Sequence, residues 1–533
     1  ADDDDAVRRL SRRKHREAKP LAVMVRDLAA ARRLAEVDAA EAEALASPAA
    51  PIVLLTARRD APLARLVAPD HRRVGLMLPS TPLHHLLADA LAARDVPAVV
   101  MTSGNASDEP ICLDNAEART RLAGIADAWL LHDRDIVRRA DDSVLQMLAD
   151  GPLFFRRSRG YAPVPVFLAG AAAAGPDVLA VGPQLKNTVC LASADRAFVS
   201  PHVGDLGGLA AGGFFAETVA TLQDVLEKHP DTLAHDTHPA YHTTGWVHDH
   251  AGARARIGVQ HHHAHLAAVH AEHGLDGPVV GVILDGTGYG DDSTIWGGEI
   301  LVGDPGGFVR AAHLEPVPLP GGDAAIRAPW RAAVAYLRHA VGTPLPDLAW
   351  LARHDTGPVL AMLAQGLNSP PTSSCGRLFD AVAALTGRWG DVHYEAQAAI
   401  ELMAATDGAA VAAAAPLCPP EPLAAGEPAV IPVGPIVCGA LAAVQAGAGV
   451  AELSARFHRT LIDLWTDAAA TVARRRGLGT VVLAGGVFQN ELLLTGVRDG
   501  LRARGLDVRR PLQLPANDGA VALGQAVVAR TRC

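Results

Sequence analysis

A cluster of histidines in the middle of the chain has the spacing of a metal site. It lies in the run QHHHAH (260–265), and the residues that follow, LAAVHAEHG, are mostly good helix formers. On a helix, His261 and His265 would lie one turn apart on the same face. This arrangement lets two neutral imidazoles bind one metal ion, as in other His-x3-His sites. The alternative interpretation is a partly buried histidine cluster at the start of a helix.

Two aspartates are candidates for completing this metal site, since two imidazoles do not fill a coordination shell. Asp285 ends the apolar run VVGVILD, and Asp518 precedes a glycine at the start of a predicted helix in LPANDGAVALGQA. Each could instead be a helix N-cap or a turn residue. Imidazole and carboxylate ligands together suit iron or zinc better than magnesium, because Mg²⁺ prefers an all-oxygen shell. The predicted site therefore holds one transition metal, iron or zinc.

Polar or glycine-rich turns between apolar strands are candidates for binding a nucleotide. They occur in VLAVGPQLKNTVCLA, in VVGVILDGTGYGDDSTIW and in TVVLAGGVFQN. A turn without bulky Cβ atoms lets backbone N–H groups approach phosphate oxygens. Two such hairpin turns followed by a Gly-Gly turn are typical of the actin-like and sugar-kinase-like (ASKHA) ATPase fold. In that fold the hairpin turns face the phosphates and the Gly-Gly turn lies against the adenosine.

Lysine is rare in this chain and occurs only at positions 14, 19, 186 and 228. Arginine supplies nearly all the other positive charge, and the two residues are not interchangeable where a compact ammonium is needed. Lys186 lies in the first polar turn, which makes it a candidate phosphate ligand. The run KHR (14–16) could clamp triphosphate oxygens or could be the solvated basic face of a helix.

Two α/β regions are predicted to position these residues. Up to residue 165, helical stretches alternate with short apolar strands. An Ala-, Gly- and Pro-rich stretch, 166–177, is expected to be a linker, and the remainder, 178–533, carries the turns and the histidines. The elements predicted in the first region are helices at Ala6–Arg16 and Asp27–Ala35 and strands at Leu21–Val25, Ile52–Leu55, Val74–Leu78 and Ala98–Thr102.

The composition is that of an ordinary globular protein, with 49% hydrophobic and 20% charged residues. A net charge of −10 argues against a generally basic nucleic-acid-binding protein. The 6 cysteines form no CxxC pair, so neither a disulfide scaffold nor a zinc ribbon is expected. The same cysteine pattern predicts a cytoplasmic location. The longest uncharged run, 428–451, contains prolines and glycines, so no membrane span is expected.

Motifs of one known family occur in order in the second region: QLKNT (184–188), QHHHAH (260–265), LDGTGYGDDSTIWGGE (284–299), PLPGGDAAIRAPWR (318–331), NSPPTSSCGRLFDAVAAL (368–385), YEAQAAIELM (394–403), LAGGVFQN (483–490) and NDGAVALGQA (517–526). This region resembles the kinase-like domain of the HypF family, the carbamoyltransferases of nickel–iron hydrogenase maturation. The same fold occurs in tRNA threonylcarbamoyl transferases. The resemblance implies that the metal ligands are His261, His265, Asp285 and Asp518.

The same resemblance implies how the second region binds its nucleotide. Lys186 is expected to neutralise phosphate and to be catalytic, and the Gly-Gly turn is expected to admit the adenosine. The residues implied in nucleotide binding are Lys186, Asn187, Thr188, Gly286, Thr287, Gly288, Gly376, Gly485, Gly486 and Asn490.

The first region resembles a YrdC-type domain, whose signature is a KxR pair followed later by SxN. Here the pair is Lys14 and Arg16, and the later motif is Ser103 and Asn105 in MTSGN. These residues are expected to be catalytic and to bind ATP and carbamate. Further similar stretches are KPLAVM (19–24), HDRDIVRRADDSV (132–144) and RRSRGYAPVP (156–165).

The family resemblance also implies a reaction sequence. HypF proteins normally begin with an acylphosphatase-like domain, which converts carbamoyl phosphate to carbamate, and two zinc-finger modules. Neither these parts nor the first strand of the YrdC-type domain is found in the sequence, so the chain is expected to be shortened at its N-terminus. The YrdC-type domain then joins carbamate to ATP, with Mg²⁺, to give carbamoyl-adenylate. The kinase-like domain passes the carbamoyl group to the C-terminal cysteine of the partner protein HypE.

Three alternatives stay open. An O-carbamoyltransferase of a natural-product pathway has the same two domain types, usually in the opposite order. A tRNA threonylcarbamoyl transferase is disfavoured by the acidic net charge and by the stretches PLPGGDAAIR and TSSCGRLFD. A non-enzymatic ATP-dependent scaffold of the actin type would have no evident use for the His-x3-His motif.

Overall fold

The computed structural model describes residues 1–16, 18–106 and 109–533, which form three β-sheets covered by helices. The predicted α/β class is confirmed. Among the helices of these described segments, none has an apolar stretch long enough to cross a membrane.

The first sheet has the strand order β4-β1-β3-β2-β5-β6, and all four strands predicted in this region are confirmed within a residue or two. Its first helix is capped by Asp3, whose carboxylate accepts the backbone N–H groups of Asp5 and Ala6. Acidic residues in the first turn and arginines in the last turn suit the helix dipole. The elements are α1 (Asp4–Arg13), β1 (Ala22–Val25), α2 (Leu28–Leu34), α3 (Ala39–Ala46), β2 (Ile52–Thr56), β3 (Arg73–Met77), α4 (Pro82–Ala92), β4 (Ala98–Met101), α5 (Asn115–Arg121), β5 (Val144–Leu148) and β6 (Gly151–Arg156).

The second sheet has the order β12-β11-β8-β9-β10-β7. Residues 166–177 differ from the expected linker, because they supply an edge strand and a short helix of this unit. Val166 and Leu168 are buried there, and burial of such side chains favours a fixed position over a flexible connection. The elements are β7 (Val166–Phe167), α6 (Gly170–Ala174), β8 (Val178–Ala180), β9 (Cys190–Ser193), β10 (Arg196–Val199), α7 (Leu209–Leu226), β11 (Thr232–Asp236), α8 (His242–His250), β12 (Ala255–Val259) and α9 (His261–Glu272).

The third sheet is built on a long antiparallel hairpin, β13–β14, whose pairing is irregular between Leu284 and Gly288. The main strand order is β16-β17-β14-β13-β19-β20, with β15 beside β14 and β18 beside β15. The elements are β13 (Val279–Tyr289), β14 (Ile295–Asp304), β15 (Gly307–Leu314), β16 (Val317–Pro318), α10 (Asp323–Arg327), α11 (Pro329–Val341), α12 (Gly357–Gln365), β17 (Pro371–Thr372), α13 (Cys375–Leu385), α14 (Gln397–Ala404), α15 (Gly408–Ala413), β18 (Ala429–Ile431), α16 (Gly434–Gln445), α17 (Val450–Arg476), β19 (Thr480–Ala484), α18 (Glu491–Arg502), β20 (Asp507–Arg509) and α19 (Val521–Arg532).

Helices α9 and α19 form the interior contact that positions the histidines. Every residue of α9 from His261 to Ala271 is buried, and the last helix of the chain, α19, packs against it. A Cβ at Gly524 would lie 1.8 Å from the carbonyl oxygen of Ala264, so only glycine permits this approach. The start of α9 is therefore held in the protein interior.

The first sheet packs against the region of the third sheet through charged and polar contacts at β3 and around β6. Arg510 forms an ion pair with Asp150 at 2.6 Å, and Arg73 forms one with Glu491 at 2.5 Å. The side-chain amide of Asn517, next to the predicted ligand Asp518, donates to the carbonyl oxygen of Phe155 at 3.1 Å. This contact joins the first region to the turn that precedes α19.

Candidate functional site

Two histidines and two aspartates come together where α9 meets the third sheet. His261 and His265 lie on the first two turns of α9. Asp285 follows Leu284 at the irregular part of the hairpin, and Asp518 begins the 3-10 turn before α19. One ligand atom from each residue lies within 4.8 Å of all the others, and all four residues are buried. The structure thus brings together the residues predicted as metal ligands.

The spacing of the four side chains fits a bound cation. Nε2 of His261 lies 3.4 Å from Oδ2 of Asp285, and Nε2 of His265 lies 3.7 Å from Oδ1 of Asp518. A tetrahedral ion about 2.1 Å from each ligand would separate them by about 3.4 Å. Within the described part of the chain, both Nε2 atoms and Oδ2 of Asp285 have no hydrogen-bond partner. Buried polar atoms are seldom left unpaired, so a bound cation would account for this convergence, and a set of imidazoles and carboxylates can bind zinc or iron.

The electrostatics of the cluster also favour a cation. Burial opposes ionisation of Asp518, but the neighbouring His261 lowers the pKa of Asp518 to about 2. The pKa of Asp285 is likewise held well below its usual value, against the effect of burial, by contacts with both imidazoles. Conversely, despite its burial, His261 has a pKa well above the usual value, with Asp518 the largest favourable cause. Both carboxylates are therefore ionised, and a metal would take the place of protons on the imidazoles.

A third carboxylate, which the sequence analysis missed, lies behind the first imidazole. Oδ2 of Asp236 is 2.8 Å from Nδ1 of His261, and neither side chain is exposed to solvent. Asp236 ends β11 in the run TLAHD. Asp285 was identified because it is an aspartate at the end of an apolar strand. Asp236 has the same position in its strand, so the same sequence pattern could have identified Asp236.

The glycines around the hairpin allow close contacts with the metal cluster. A Cβ at Gly288 would lie 2.8 Å from Cδ2 of His261, and a Cβ at Gly376 would lie 2.9 Å from Cα of Gly286. Gly286 and Thr287 are half-buried at the turn. The predicted phosphate-facing role of this turn stays a prediction, whereas Gly288 and Gly376 have an evident packing role.

The Gly-Gly turn after β19 supports the cluster directly. Gly485 has φ +97, and a Cβ there would lie 2.2 Å from the carbonyl oxygen of Leu284. The next residue, Gly486, donates its backbone N–H to Oδ1 of Asp285 at 3.0 Å. This bond leaves Oδ2 of Asp285 to face the histidines.

Lys186 reaches across the cleft between the second and third sheets. Its Nζ lies 2.6 and 2.5 Å from the two carboxylate oxygens of Glu395, and its backbone N–H donates to Asp205 at 2.7 Å. Burial opposes its charge, but Glu395 is the largest of several acidic neighbours that raise the pKa of Lys186 above the usual value. Lys186 is thus a charged ammonium whose side chain remains 26% exposed. A phosphate group could take the place of Glu395 as its anionic partner.

Three other residues predicted to bind the nucleotide already use their side chains within the protein. The amide of Asn187 donates to the carbonyl oxygens of Val181 and Pro183. The hydroxyl of Thr188 donates to the carbonyl oxygen of Gly519 at 3.0 Å. Asn490 caps α18 through its side-chain oxygen, and its amide donates to Nε2 of His458. A direct side-chain contact with a nucleotide would require these bonds to break.

The residues predicted in the first region also come together. Nζ of Lys14 donates to the carbonyl oxygen of Ser103 at 2.6 Å, to Oγ1 of Thr102 at 3.1 Å and to Oδ1 of Asn105 at 3.4 Å. The hydroxyl of Ser103 donates to the same oxygen of Asn105 at 2.7 Å. Burial, and then the positive charge of Arg16, lower the pKa of Lys14 to about 8. The cluster of Lys14, Arg16, Ser103 and Asn105 is therefore cationic at neutral pH.

The charges of basic residues from both regions act on His202. Burial lowers its pKa to about 3, helped by the positive charges of Arg156, Lys186 and Lys19. Lys19 and Arg156 belong to the first region and Lys186 to the second, and the backbone N–H of His202 donates to the carbonyl oxygen of Arg157, so the two regions meet near this imidazole.

Comparison with known families divides the chain into three matching segments. Residues 1–158 match the Sua5/YciO/YrdC family, described as "Telomere recombination". Residues 173–272 match the family described as "HypF Kae1-like domain". Residues 281–525 match the family described as "Carbamoyltransferase, Kae1-like Domain, second subdomain".

Curated proteins and solved structures give the same result. Carbamoyltransferase HypF of Rhizobium leguminosarum bv. viciae is 44% identical over 99% of this chain and 68% of its own length. Carbamoyltransferase HypF2 of Cupriavidus necator is 43% identical over 99% of this chain and 69% of its own length. A full-length HypF crystallised in a phosphate- and nucleotide-bound form is 38% identical, with a TM-score of 0.91, over 99% of this chain and 81% of that one. T. kodakarensis HypF is 32% identical, with a TM-score of 0.90, over 100% of this chain and 70% of that one. The chain therefore belongs to the HypF family of carbamoyltransferases.

Proposed function

We propose that this chain makes carbamoyl-adenylate from carbamate and ATP, and then transfers the carbamoyl group to the C-terminal cysteine of a HypE-type protein. The first step is assigned to residues 1–165 and the second to residues 178–533. The observation that carries the proposal is the presence of two chemically different clusters in one chain. One is cationic and centred on Lys14, and the other is a buried set of imidazoles and carboxylates centred on His261.

The Lys14 cluster suits the adenylation step. A carboxylate oxygen of carbamate attacks the α-phosphorus of ATP, the bond to the β-phosphate oxygen breaks, and pyrophosphate leaves with its Mg²⁺. Lys14 and Arg16 balance the negative charge of the triphosphate. Ser103 and Asn105 supply neutral polar groups that orient carbamate. Adenylation removes the anionic charge of carbamate and gives its carbon a good leaving group.

The His261 cluster suits the transfer step. The thiolate sulfur of the acceptor attacks the carbamoyl carbon, the bond to the adenylate oxygen breaks, and AMP leaves. His261, His265, Asp285 and Asp518 would hold the metal, which when bound supplies a Lewis acid that polarises an acyl or phosphoryl oxygen. Lys186 neutralises phosphate charge after the adenylate displaces Glu395. The Gly485–Gly486 turn admits the adenosine.

The contact between the two regions near His202 supports a protected route for the intermediate. A mixed anhydride reacts readily with water, so catalysis benefits from a path that excludes it. The basic residues around His202 come from both regions, and their charge would retain an anionic adenylate. The free state of all the cysteines suits a reducing compartment such as the cytoplasm.

A transfer assay with competing acceptors tests the proposal. Synthetic carbamoyl-adenylate is mixed with this protein, the metal and three acceptors together: a HypE-type protein ending in cysteine, bulk tRNA and a hydroxylated small molecule. Mass spectrometry then shows which acceptor gains a carbamoyl group. The expected result is modification of the terminal cysteine.

The other outcomes point to different functions. Labelled tRNA would indicate a tRNA-modifying transferase, and a labelled small molecule would indicate an O-carbamoyltransferase. If no acceptor is labelled although the protein binds its metal, the assignment of transfer to residues 178–533 is wrong.

A further inference from the structure

Asp236 contacts one histidine of the metal cluster on the ring edge that faces away from Asp285 and Asp518. Its Oδ2 atom lies 2.8 Å from Nδ1 of His261, and both side chains are 0% exposed. The opposite nitrogen of the same ring, Nε2, faces Asp285 and Asp518. One ring nitrogen therefore contacts a carboxylate outside the cluster, and the other points at the ligand position.

The carboxylate of Asp236 is itself held in place. Its Oδ1 atom accepts the backbone N–H of His238 at 2.9 Å. Its backbone oxygen accepts the hydroxyl of Thr244 at 3.0 Å and lies 2.7 Å from Nδ1 of His235. These bonds anchor the end of β11 to the turn that leads into α8. Oδ2 is left to interact with His261 in a fixed direction.

The second imidazole has no such support. Nδ1 of His265 has no hydrogen-bond partner in the segments 1–16, 18–106 and 109–533. His261 and His265 lie on the same helix at equivalent distances from the carboxylates, but only His261 has a carboxylate behind it. Both rings are buried to the same degree, so a difference in burial does not explain why only His261 has this carboxylate partner.

We propose that Asp236 is a positioning residue that fixes the tautomer and the orientation of His261 as a metal ligand. An ionised carboxylate only accepts hydrogen bonds, so the contact requires the imidazole proton to be on Nδ1. Nε2 then carries the lone pair that a metal needs. Carboxylate partners of this kind also raise the basicity of a ligating imidazole. This inference deepens the proposed function, because it depends on the metal site assigned there.

The Asp236→Asn variant tests the positioning role with little change in shape. A neutral amide is a weaker acceptor, and by rotation it can donate to Nδ1 and so place the ring proton on Nε2, at the ligand position. We expect the full-length variant to bind Zn²⁺ about 10- to 100-fold more weakly, measured by competition with a chelator. The visible spectrum of the Co²⁺-loaded protein should change, since it reports the ligand field at the metal. Carbamate-dependent ATP–pyrophosphate exchange at the Lys14 cluster and the circular dichroism spectrum should both be retained, which shows that both regions are folded.

Glu272→Gln provides a matched control on the same helix. Glu272 lies at the far end of α9, where its carboxylate accepts the backbone N–H groups of Leu512 and Gln513. The substitution makes the same acid-to-amide change without touching a ligand, so Zn²⁺ affinity should be unchanged. Equal weakening in Glu272→Gln and Asp236→Asn would show a general loosening of α9 and would overturn the proposal.

A double-mutant cycle shows whether Asp236 acts through His261. In a His261→Ala background, Asp236→Asn should cause no further loss of Zn²⁺ affinity. A loss of equal size in both backgrounds, or wild-type affinity in the folded Asp236→Asn variant, would contradict the proposal. If Asp236→Asn does not fold, Asp236→Glu, which keeps a carboxylate, should show an affinity loss that Glu272→Gln lacks. If the wild-type protein binds neither Zn²⁺ nor Co²⁺, both the metal site and this proposal are wrong. If only the labelling of acceptors fails, the proposed function is wrong and this proposal is not affected.

Discussion

The Lys14 cluster and the His261 cluster differ in where their charge comes from and in how they are held. Lys14 follows the last turn of a helix and is itself buried, and its ammonium donates to the oxygens of Thr102, Ser103 and Asn105. His261 lies on a helix buried between two sheets and contacts three carboxylates. The first arrangement brings two cationic side chains, Lys14 and Arg16, next to neutral polar groups, while the second places three carboxylates around two imidazoles. This difference in charge matches the two half-reactions proposed for the chain, adenylation at the Lys14 cluster and carbamoyl transfer at the His261 cluster.

The largest expected effect comes from Asp285→Asn, which should separate the two half-reactions. The new side chain keeps an oxygen to accept the N–H of Gly486 but replaces Oδ2 with an amide facing the histidines. We expect carbamoyl transfer from synthetic carbamoyl-adenylate to fall by about 1000-fold or more, because the metal loses a charged ligand. Bound metal, measured by mass spectrometry of the purified protein, should fall with it.

ATP–pyrophosphate exchange at the Lys14 cluster should stay near the wild-type rate in Asp285→Asn. If exchange and transfer fall together, the two clusters do not divide the reaction between them. That result would contradict the assignment of adenylation to the Lys14 cluster and of transfer to the His261 cluster.

The reciprocal variant, Lys14→Met, should lose the first half-reaction and keep the second. Loss of a charge-assisted contact to the triphosphate should lower carbamate-dependent ATP–pyrophosphate exchange by about 100-fold. Transfer from synthetic carbamoyl-adenylate should be unchanged, since that step bypasses the first cluster. Lys228→Met is the control, because Lys228 forms a partly exposed ion pair with Asp177 at 3.1 Å. A wild-type rate of ATP–pyrophosphate exchange in the Lys14→Met variant would show that Lys14 does not bind ATP.

The structure brings the predicted metal ligands together, and each of them was indicated by its place in a local element. His261 and His265 follow from helical spacing, and Asp285 and Asp518 from their places at the end of a strand and the start of a helix. Gly288 and Gly485 were identified as small residues at turns, but the structure adds that they avoid contacts with His261 and Leu284.

The sequence predicted less where a side chain chooses among distant partners. Asn187, Thr188 and Asn490 are polar residues in turns, yet their hydrogen bonds go to protein groups that only the folded chain brings near. Asp236 ends an apolar strand as Asp285 does, but nothing local indicates that its carboxylate contacts His261. The stretch 166–177 has the composition of a linker, and its strand forms only because β10 is available for pairing. Residue type indicates the capacity for a bond, and tertiary structure decides which bond is made.

The smallest expected effect is a pH dependence confined to the first cluster. Burial and the neighbouring Arg16 lower the pKa of Lys14 to about 8, so its charge is lost as the pH rises through that value. The charged fraction falls from about nine-tenths at pH 7 to about one quarter at pH 8.5, and kcat/KM for ATP in adenylation, which reports the free enzyme, should fall about fourfold. Transfer from synthetic carbamoyl-adenylate should lack this decline, because Lys186, whose pKa is raised by Glu395 and other acidic neighbours, stays protonated throughout the range. The two pH profiles are measured on the same preparation. A flat adenylation profile up to pH 9.5, or a matching decline in both steps, would show that Lys14 does not supply the charge that binds ATP.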